Sequence, residues 1–314
     1  MTDLIVSTLT QGLLYSLVAF GVYITYSILD FPDLSVDGTF PLGAALTAGL
    51  LLRGADPWAA LAAAAAAGML AGTFTGIIHV MFRIRNLLAG IITQTALFSL
   101  NLLINGTSNV MLDRNVGTIF TVGPAAALGG LSLGLRRLIV AALVVLAMKI
   151  LLDLYFRTKS GLLLRAVGDN GTLVTTLAKN MGSVKILGLA LANGLVALAG
   201  GIVCQADKAF TSTMGTGQVV FGLAAVIIGI SLFRKVSFVR GTTAVLAGSI
   251  LYKACIQGAM QLGFAPFMLK FITAMLFLLV LILSGRKGEE IIHARAAEYP
   301  KNLQSWHRQR DKGI

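Results

Sequence analysis

The sequence predicts an all-α polytopic membrane protein with about nine transmembrane helices, some of them broken or re-entrant. Three observations predict it. Of 314 residues, 56% are apolar and only 12% charged, against roughly 45–50% and 25% in an ordinary soluble domain. The apolar residues come in runs approaching the roughly 20 needed to cross a hydrocarbon core. The basic residues fall mostly between those runs. A soluble enzyme is excluded because too little charge exists to cover its surface. Disorder is excluded because residues able to bury surface are abundant.

The first run, Leu4 to Leu29, lacks the basic leader of a cleaved signal peptide and has the length of a span, so it reads as a helix. The second, Thr39 to Leu52, is short for a crossing, as is the seventh, Gln218 to Phe233; such lengths suit broken or re-entrant helices. The third, Trp58 to Phe82, carries Gly68, Gly72 and Gly76 at four-residue spacing. This ridge permits close helix approach, either within the chain or across a dimer. Leu87 to Asn105, Arg137 to Phe156, Val184 to Cys204, Thr242 to Leu262 and Pro266 to Ser284 complete the set. Residues 1–284 thus read as one transmembrane domain, followed by a basic tail over 285–314.

The net charge of +12 invites a nucleic-acid reading, but the basic residues form no folded face. With the C-terminal tail placed in the cytoplasm, seventeen Lys and Arg fall on the inner side and five on the outer. That is a strong positive-inside bias, and nine crossings then put the N-terminus outside. The connection from Asp30 to Gly38 dissents, with three Asp and no basic residue.

Catalytic signals are missing. No phosphate-binding G-x-x-x-x-G-K-[ST] and no H-E-x-x-H occurs. His79, His293 and His307 are too scattered for a metal site, and Cys204 and Cys255 have neither metal-ligand nor disulfide spacing. Many spans without a reaction centre point to movement of a solute across the bilayer.

Polar residues inside spans are costly and mark a pathway or a partner helix. In the fourth segment Gln94, Asn101 and Asn105 share one helical stripe with Phe98. In the eighth, Lys253, Gln257 and Gln261 follow at four-residue spacing, and an ammonium at mid-span needs a carboxylate or a wet cavity. Either stripe lines a route or bonds a neighbouring helix. Asn193 lies within the sixth segment. Lys149 and Asp153 neutralise each other across one helical turn, and Lys270 snorkels to the surface. Between the first two runs, Asp30 to Pro41 combines two prolines, a glycine and three carboxylates; Asp33, Ser35 or Asp37 can cap the following short helix. Such a helix start at membrane depth is a ligand site, or else an ordinary capped loop.

The most informative polar stretch is Arg157 to Lys185. It predicts a short helix over Gly171 to Ala178, capped by Asn170 and followed by a turn at Gly182. A helix held between two spans on the basic side is shaped to dock on a cytoplasmic partner.

Gly161 to Gly182, followed by Val184-Lys-Ile-Leu-Gly-Leu-Ala-Leu-Ala-Asn193 and Leu198-Ala-Gly-Gly201, resembles permease subunits of ABC importers in the branched-chain amino-acid and ribose permease family. Asp33-Leu-Ser-Val-Asp-Gly38 is similar to the Asp-Leu-Ser-Val-Gly element of its sugar members, with Asp37 as an extra residue. Phe221 to Gly229 matches another shared stretch, and the subgroup most resembled is that of tryptophan and tyrosine permeases. The resemblance implies a type II-like importer fold in the bacterial inner membrane and a second permease copy. It implies two cytoplasmic ATPases that bind ATP and Mg, an extracytoplasmic binding protein, and no cofactor in this chain. The coupling role would fall on Arg165, Gly168, Asp169, Asn170, Leu173, Leu177 and Gly182, although the family's Gly-Asn-Glu-Ala-Ala-like pattern is degraded here to Gly168-Asp-Asn-Gly-Thr172. Asp33, Asp37, Gln94, Asn101, Asn105, Asn193, Lys253 and Gln257 are the expected substrate-pathway residues. An amino acid is the first substrate class and a nucleoside or sugar the next. The rival readings are an ion-coupled secondary transporter using Asp33, Asp37 and Lys253, and a non-transporting scaffold.

Overall fold

A computed structural model describes residues 2–128, 130–169, 180–233, 239–262, 268 and 271–282. Asn170, Leu173, Leu177, Lys270 and the 285–314 tail lie outside the described residues, as does the side chain of Asp169.

Helix α1 (Thr2–Val22) runs into a π-helical turn, Tyr23–Ile28. The wide turn is closed by Phe31 N donating to Thr25 O at 2.8 Å, and the chain breaks away at Asp30, with φ +50°, ahead of Pro32. Helix α2 (Val36–Leu52) follows, then α3 (Pro57–Met81), α4 (Asn86–Asn105), α5 (Leu133–Tyr155) and α6 (Lys159–Asp169). Helices α7 (Met181–Asp207), α8 (Gln218–Phe233), α9 (Gly241–Gln261) and α10 (Phe271–Ile282) complete the bundle. Local chemistry sets several ends. Asp56 accepts from Trp58 N and Ala59 N with Pro57 in the first turn of α3, and α4 ends on Gly106 at φ +68°.

All nine apolar runs are helical, at least in part, among the described residues. Among the described residues, five helices are long and apolar enough to cross a bilayer: α1 with its π turn, α3, α4, α5 and α7. Helices α2, α8 and α10 are apolar but shorter, and α9 has the length but carries Lys253, Gln257 and Gln261. The helix expected over 171–178 lies outside the described residues, and α6 stands just before it. Gly161, Leu164 and Val167 recur every three residues, and Leu164 and Val167 are buried in the main core. Helix α6 packs on the π turn and on α7.

The centre of the bundle is α7 flanked by α2 and α3. The glycine ridge of α3 makes this possible within one chain. A Cβ on Gly76 would approach Ile186 Cα to 2.9 Å, and one on Gly68 or Gly72 would overlap the Asn193 or Leu189 carbonyl. The ridge therefore seats α7 rather than a second subunit. At one end, short strands β1 (Asn109–Met111) and β2 (Ala209–Thr211) pair antiparallel, with Val110 opposite Phe210. Gln205 ties this end together, accepting from Ile119 N at 2.8 Å and donating to Pro57 O at 3.1 Å.

Gly72→Leu should force α3 off α7 and lower stability by about 3 kcal/mol. The check is thermal unfolding in detergent, where an unchanged midpoint would contradict the seam.

Candidate substrate pathway

The Asp-rich connection folds inward. Asp33 is buried, its Oδ1 accepting from Ser35 N at 2.8 Å and its Oδ2 from Asn193 Nδ2 at 2.8 Å. Asn193, in mid-α7, also donates to Leu189 O at 3.1 Å, and its Oδ1 accepts from Ser35 Oγ at 3.1 Å. Thr39 Oγ1 lies 2.7 Å from the same oxygen and 2.9 Å from Ser35 O, so its single proton serves one of the two at a time. Asp33 and Asn193 thus face each other in the core, away from either cavity described below.

Asp37 reaches across to another helix. Its carboxylate accepts from Gly217 N at 3.0 Å and Val219 N at 2.8 Å, so a residue in the first turn of α2 caps the N-terminus of α8. Gly217, at φ +89°, takes the left-handed conformation that presents its N–H to Asp37. Pro41 supplies no N–H to the Asp37 carbonyl, and Gly215 packs against that oxygen, where a side chain would not fit.

Beside this joint lies a cavity of about 510 Å³ walled by α2, α4 and the 212–216 turn. Asp37, Gln94 and Asn101 line it together with Ser212, Thr213 and Thr216. Asn101 is fully buried. Its Nδ2 donates to Gly38 O at 3.1 Å, while Oδ1 has no hydrogen-bond partner among the described residues. Asn105, one turn further, donates to Ala45 O at 3.0 Å and clamps α4 to α2.

On the other side of Thr216 is a cavity of about 280 Å³ between α1, α8, α9 and α10. Lys253 is in its wall, with Nζ 3.3 Å from the centre of the Tyr15 ring and 5.1 Å from that of Phe221. It pairs with neither Asp33 nor Asp37. Gln257 is half-buried and outside the walls of both cavities, and Gln261 is exposed.

The expected coupling residues sit elsewhere. The Arg165 guanidinium lies 5.0 Å over the Phe156 ring, Gly168 packs against Ile28 O, and Gly182 N donates to the Asn180 cap of α7 at 2.9 Å. Close by, Asp153 accepts from Lys149 at 3.0 Å, Arg240 at 3.0 Å and Thr242 at 2.6 Å, so the expected Lys149 pair is one arm of a larger cluster. His79 is packed, donating from Nδ1 to Ile84 O at 2.8 Å and lying edge-on to Phe31. No group of three or more His, Cys, Asp or Glu able to hold a metal occurs among the described residues.

The family model described as "Branched-chain amino acid transport system / permease component" matches residues 4–281. The chain belongs to this permease family. It is 42% identical to a tyrosine transport system permease protein of Clostridioides difficile, over 95% of this chain and 96% of that one. It is also 27% identical to a ribose import permease protein of Bacillus subtilis, over 90% of this chain and 85% of the other. No solved structure matches significantly. Membership makes the chain a multi-pass protein of the bacterial inner membrane, in a family of transport-system permease components.

Among the expected pathway residues of this permease, the fold brings Asp37, Gln94 and Asn101 to one cavity and Lys253 to the next. Asp33, Asn105 and Asn193 hold elements together. Sequence reasoning missed Ser212, Thr213, Thr216 and Gln218. The signal was present as a Ser, Thr and Gly cluster leading into an apolar run, the pattern of a helix start.

Asn193→Leu removes the side-chain donor to Asp33 Oδ2 and leaves that buried oxygen unsatisfied, which should cost roughly 3 kcal/mol. Chemical denaturation in detergent measures this, and a variant as stable as the parent would contradict the network.

Proposed function

We propose that this permease is the membrane subunit of an ATP-driven importer for an amino acid, tyrosine or a close aromatic relative. The supporting observation is end-to-end identity of 42% with a tyrosine transport permease, in a chain whose bundle holds a cavity lined by Asp37, Gln94 and Asn101. The route runs from the cavity of Asp37, Gln94 and Asn101 past Thr216 towards Lys253. Gln257, Asn193 and Asp33 act by supporting its walls. A second copy of the chain faces the exposed Ile91 and Phe98 of α4 and closes the larger cavity from that side.

Energy comes from two cytoplasmic ATPases gripping the connection over 166–182, with Arg165, Gly168, Asp169 and Gly182 carrying the pull into α6 and α7. An extracytoplasmic binding protein delivers the solute. The C-terminal tail lies in the cytoplasm, in accord with the distribution of basic residues. The ribose permease relative favours a second reading, a sugar importer of the same design.

Reconstitution with candidate ATPases and binding protein tests the reading. ATP-dependent tyrosine uptake is expected, and scrambling 166–182 should abolish stimulation of the ATPase. Uptake driven by an ion gradient with no ATPase present would overturn it, and ribose uptake without tyrosine uptake would select the sugar reading. Asn101→Leu should lower transport about 10-fold while the complex still assembles, since it removes one charged-solute hydrogen-bonding group from the wall. Uptake at the parental rate would return Asn101 to packing alone.

A further inference from the structure

Two polar groups around the smaller cavity lack hydrogen-bond partners among the described residues, and their chemistries are opposite. Lys253 Nζ has three N–H donors. Its recorded contacts are the Tyr15 and Phe221 ring faces, with no hydrogen bond or ion pair to any described residue. No ion pair joins it to Asp207. Gln218, only 8% exposed, is the complement. Its Nε2 donates to Met214 O at 3.0 Å, which fixes the amide orientation, and the remaining Oε1 is buried without a donor. An unpaired donor cation and an unpaired acceptor at membrane depth are each costly. Neither residue satisfies the other.

The rest of the wall is aromatic. Phe221 lies edge-on to both Tyr15 and Tyr252, with ring centroids 5.5 and 5.2 Å apart. The volume of about 280 Å³ falls just under the roughly 300–1,000 Å³ usual for drug-sized ligands and suits one small solute. A ligand satisfying this cavity carries an anionic acceptor, a hydrogen-bond donor and a flat apolar body.

We propose that the cavity of Tyr15, Gln218, Phe221, Tyr252 and Lys253 is a recognition station for a zwitterionic α-amino acid with an aromatic side chain. The solute carboxylate takes the Lys253 ammonium, its ammonium donates to Gln218 Oε1, and its ring packs on the aromatic wall. The station lies beyond Thr216 from the larger cavity, so a solute meets it inside the membrane after the binding protein has released it. The permease therefore tests its cargo itself. This inference rests on the amino-acid importer reading above and adds where, and by which groups, the cargo is recognised.

Two measurements on the full chain test it. In the reconstituted importer, with binding protein saturating, Lys253→Met and Gln218→Leu should each cut ATP-driven L-tyrosine uptake about 10-fold or more, with Lys253→Arg retaining more than Lys253→Met. The variants should co-purify with the ATPases. Uptake within twofold of the parent in both would overturn the station while leaving the importer reading standing; a parent that moves no amino acid would bring down both. The second measurement needs no change at Lys253. In a chain carrying Cys204→Ser, Cys255→Ser and Ala274→Cys, L-tyrosine should slow thiol labelling at the cavity wall. Tyramine, without the carboxylate, and 3-(4-hydroxyphenyl)propionate, without the ammonium, should protect at least 10-fold less well. Equal protection by all three, or by none, refutes the station.

Discussion

The hydrogen-bonded knot between Asn193 and the Asp33–Thr39 turn is the constraint on which the architecture depends. In lipid, a polar group left unpaired has no water to fall back on. Asn193 uses both of its donors and its acceptor oxygen, and in doing so pins the start of α2 against the middle of α7. A one-residue slip of α2 would break the Asp33, Ser35 and Thr39 contacts together. The glycine ridge of α3 fixes α7 from the opposite side by close backbone approach, so the central three helices have one register.

From that fixed point the polar geometry follows. With α2 placed, Asp37 faces the first turn of α8 and caps it, which lets a sixteen-residue helix begin inside the bundle with its leading N–H groups satisfied. The turn before α8 then stands between two cavities, contributing Ser212, Thr213 and Thr216 to one and Gln218 to the other. Short helices that look deficient as spans are the elements that carry polar surface into the membrane's depth. A transport subunit needs this combination: a rigid centre that keeps its register, and polar walls on elements anchored to it.

Much of this was readable in the chain. Runs such as Trp58 to Phe82 fix helix positions because only helices satisfy their own backbone in lipid. The Gln94 and Asn101 stripe follows from helical periodicity, and one cavity does take both. The Asp-rich segment does cap a helix, but Asp37 caps α8 rather than the helix that follows it in sequence, since local spacing offers no view of a helix some 180 residues away. Lys253 has no carboxylate ion pair but does stand in a cavity wall, with two aromatic rings against its ammonium. Helix α6 is marked in the sequence only by the three-residue repeat of Gly161, Leu164 and Val167, a short signal beside the polar residues that follow it.

Composition and periodicity alone determined that this protein lives in a bilayer, where its helices fall, and which polar residues are expensive enough to need a reason. Both are properties of a segment and its solvent, and each run carries them independently of the others. Tertiary structure alone decided which expensive residues are fasteners and which face open space. That sorting depends on what stands opposite each side chain, and the opposite partner of Asp33, Asp37 or Lys253 comes from a helix far along the chain.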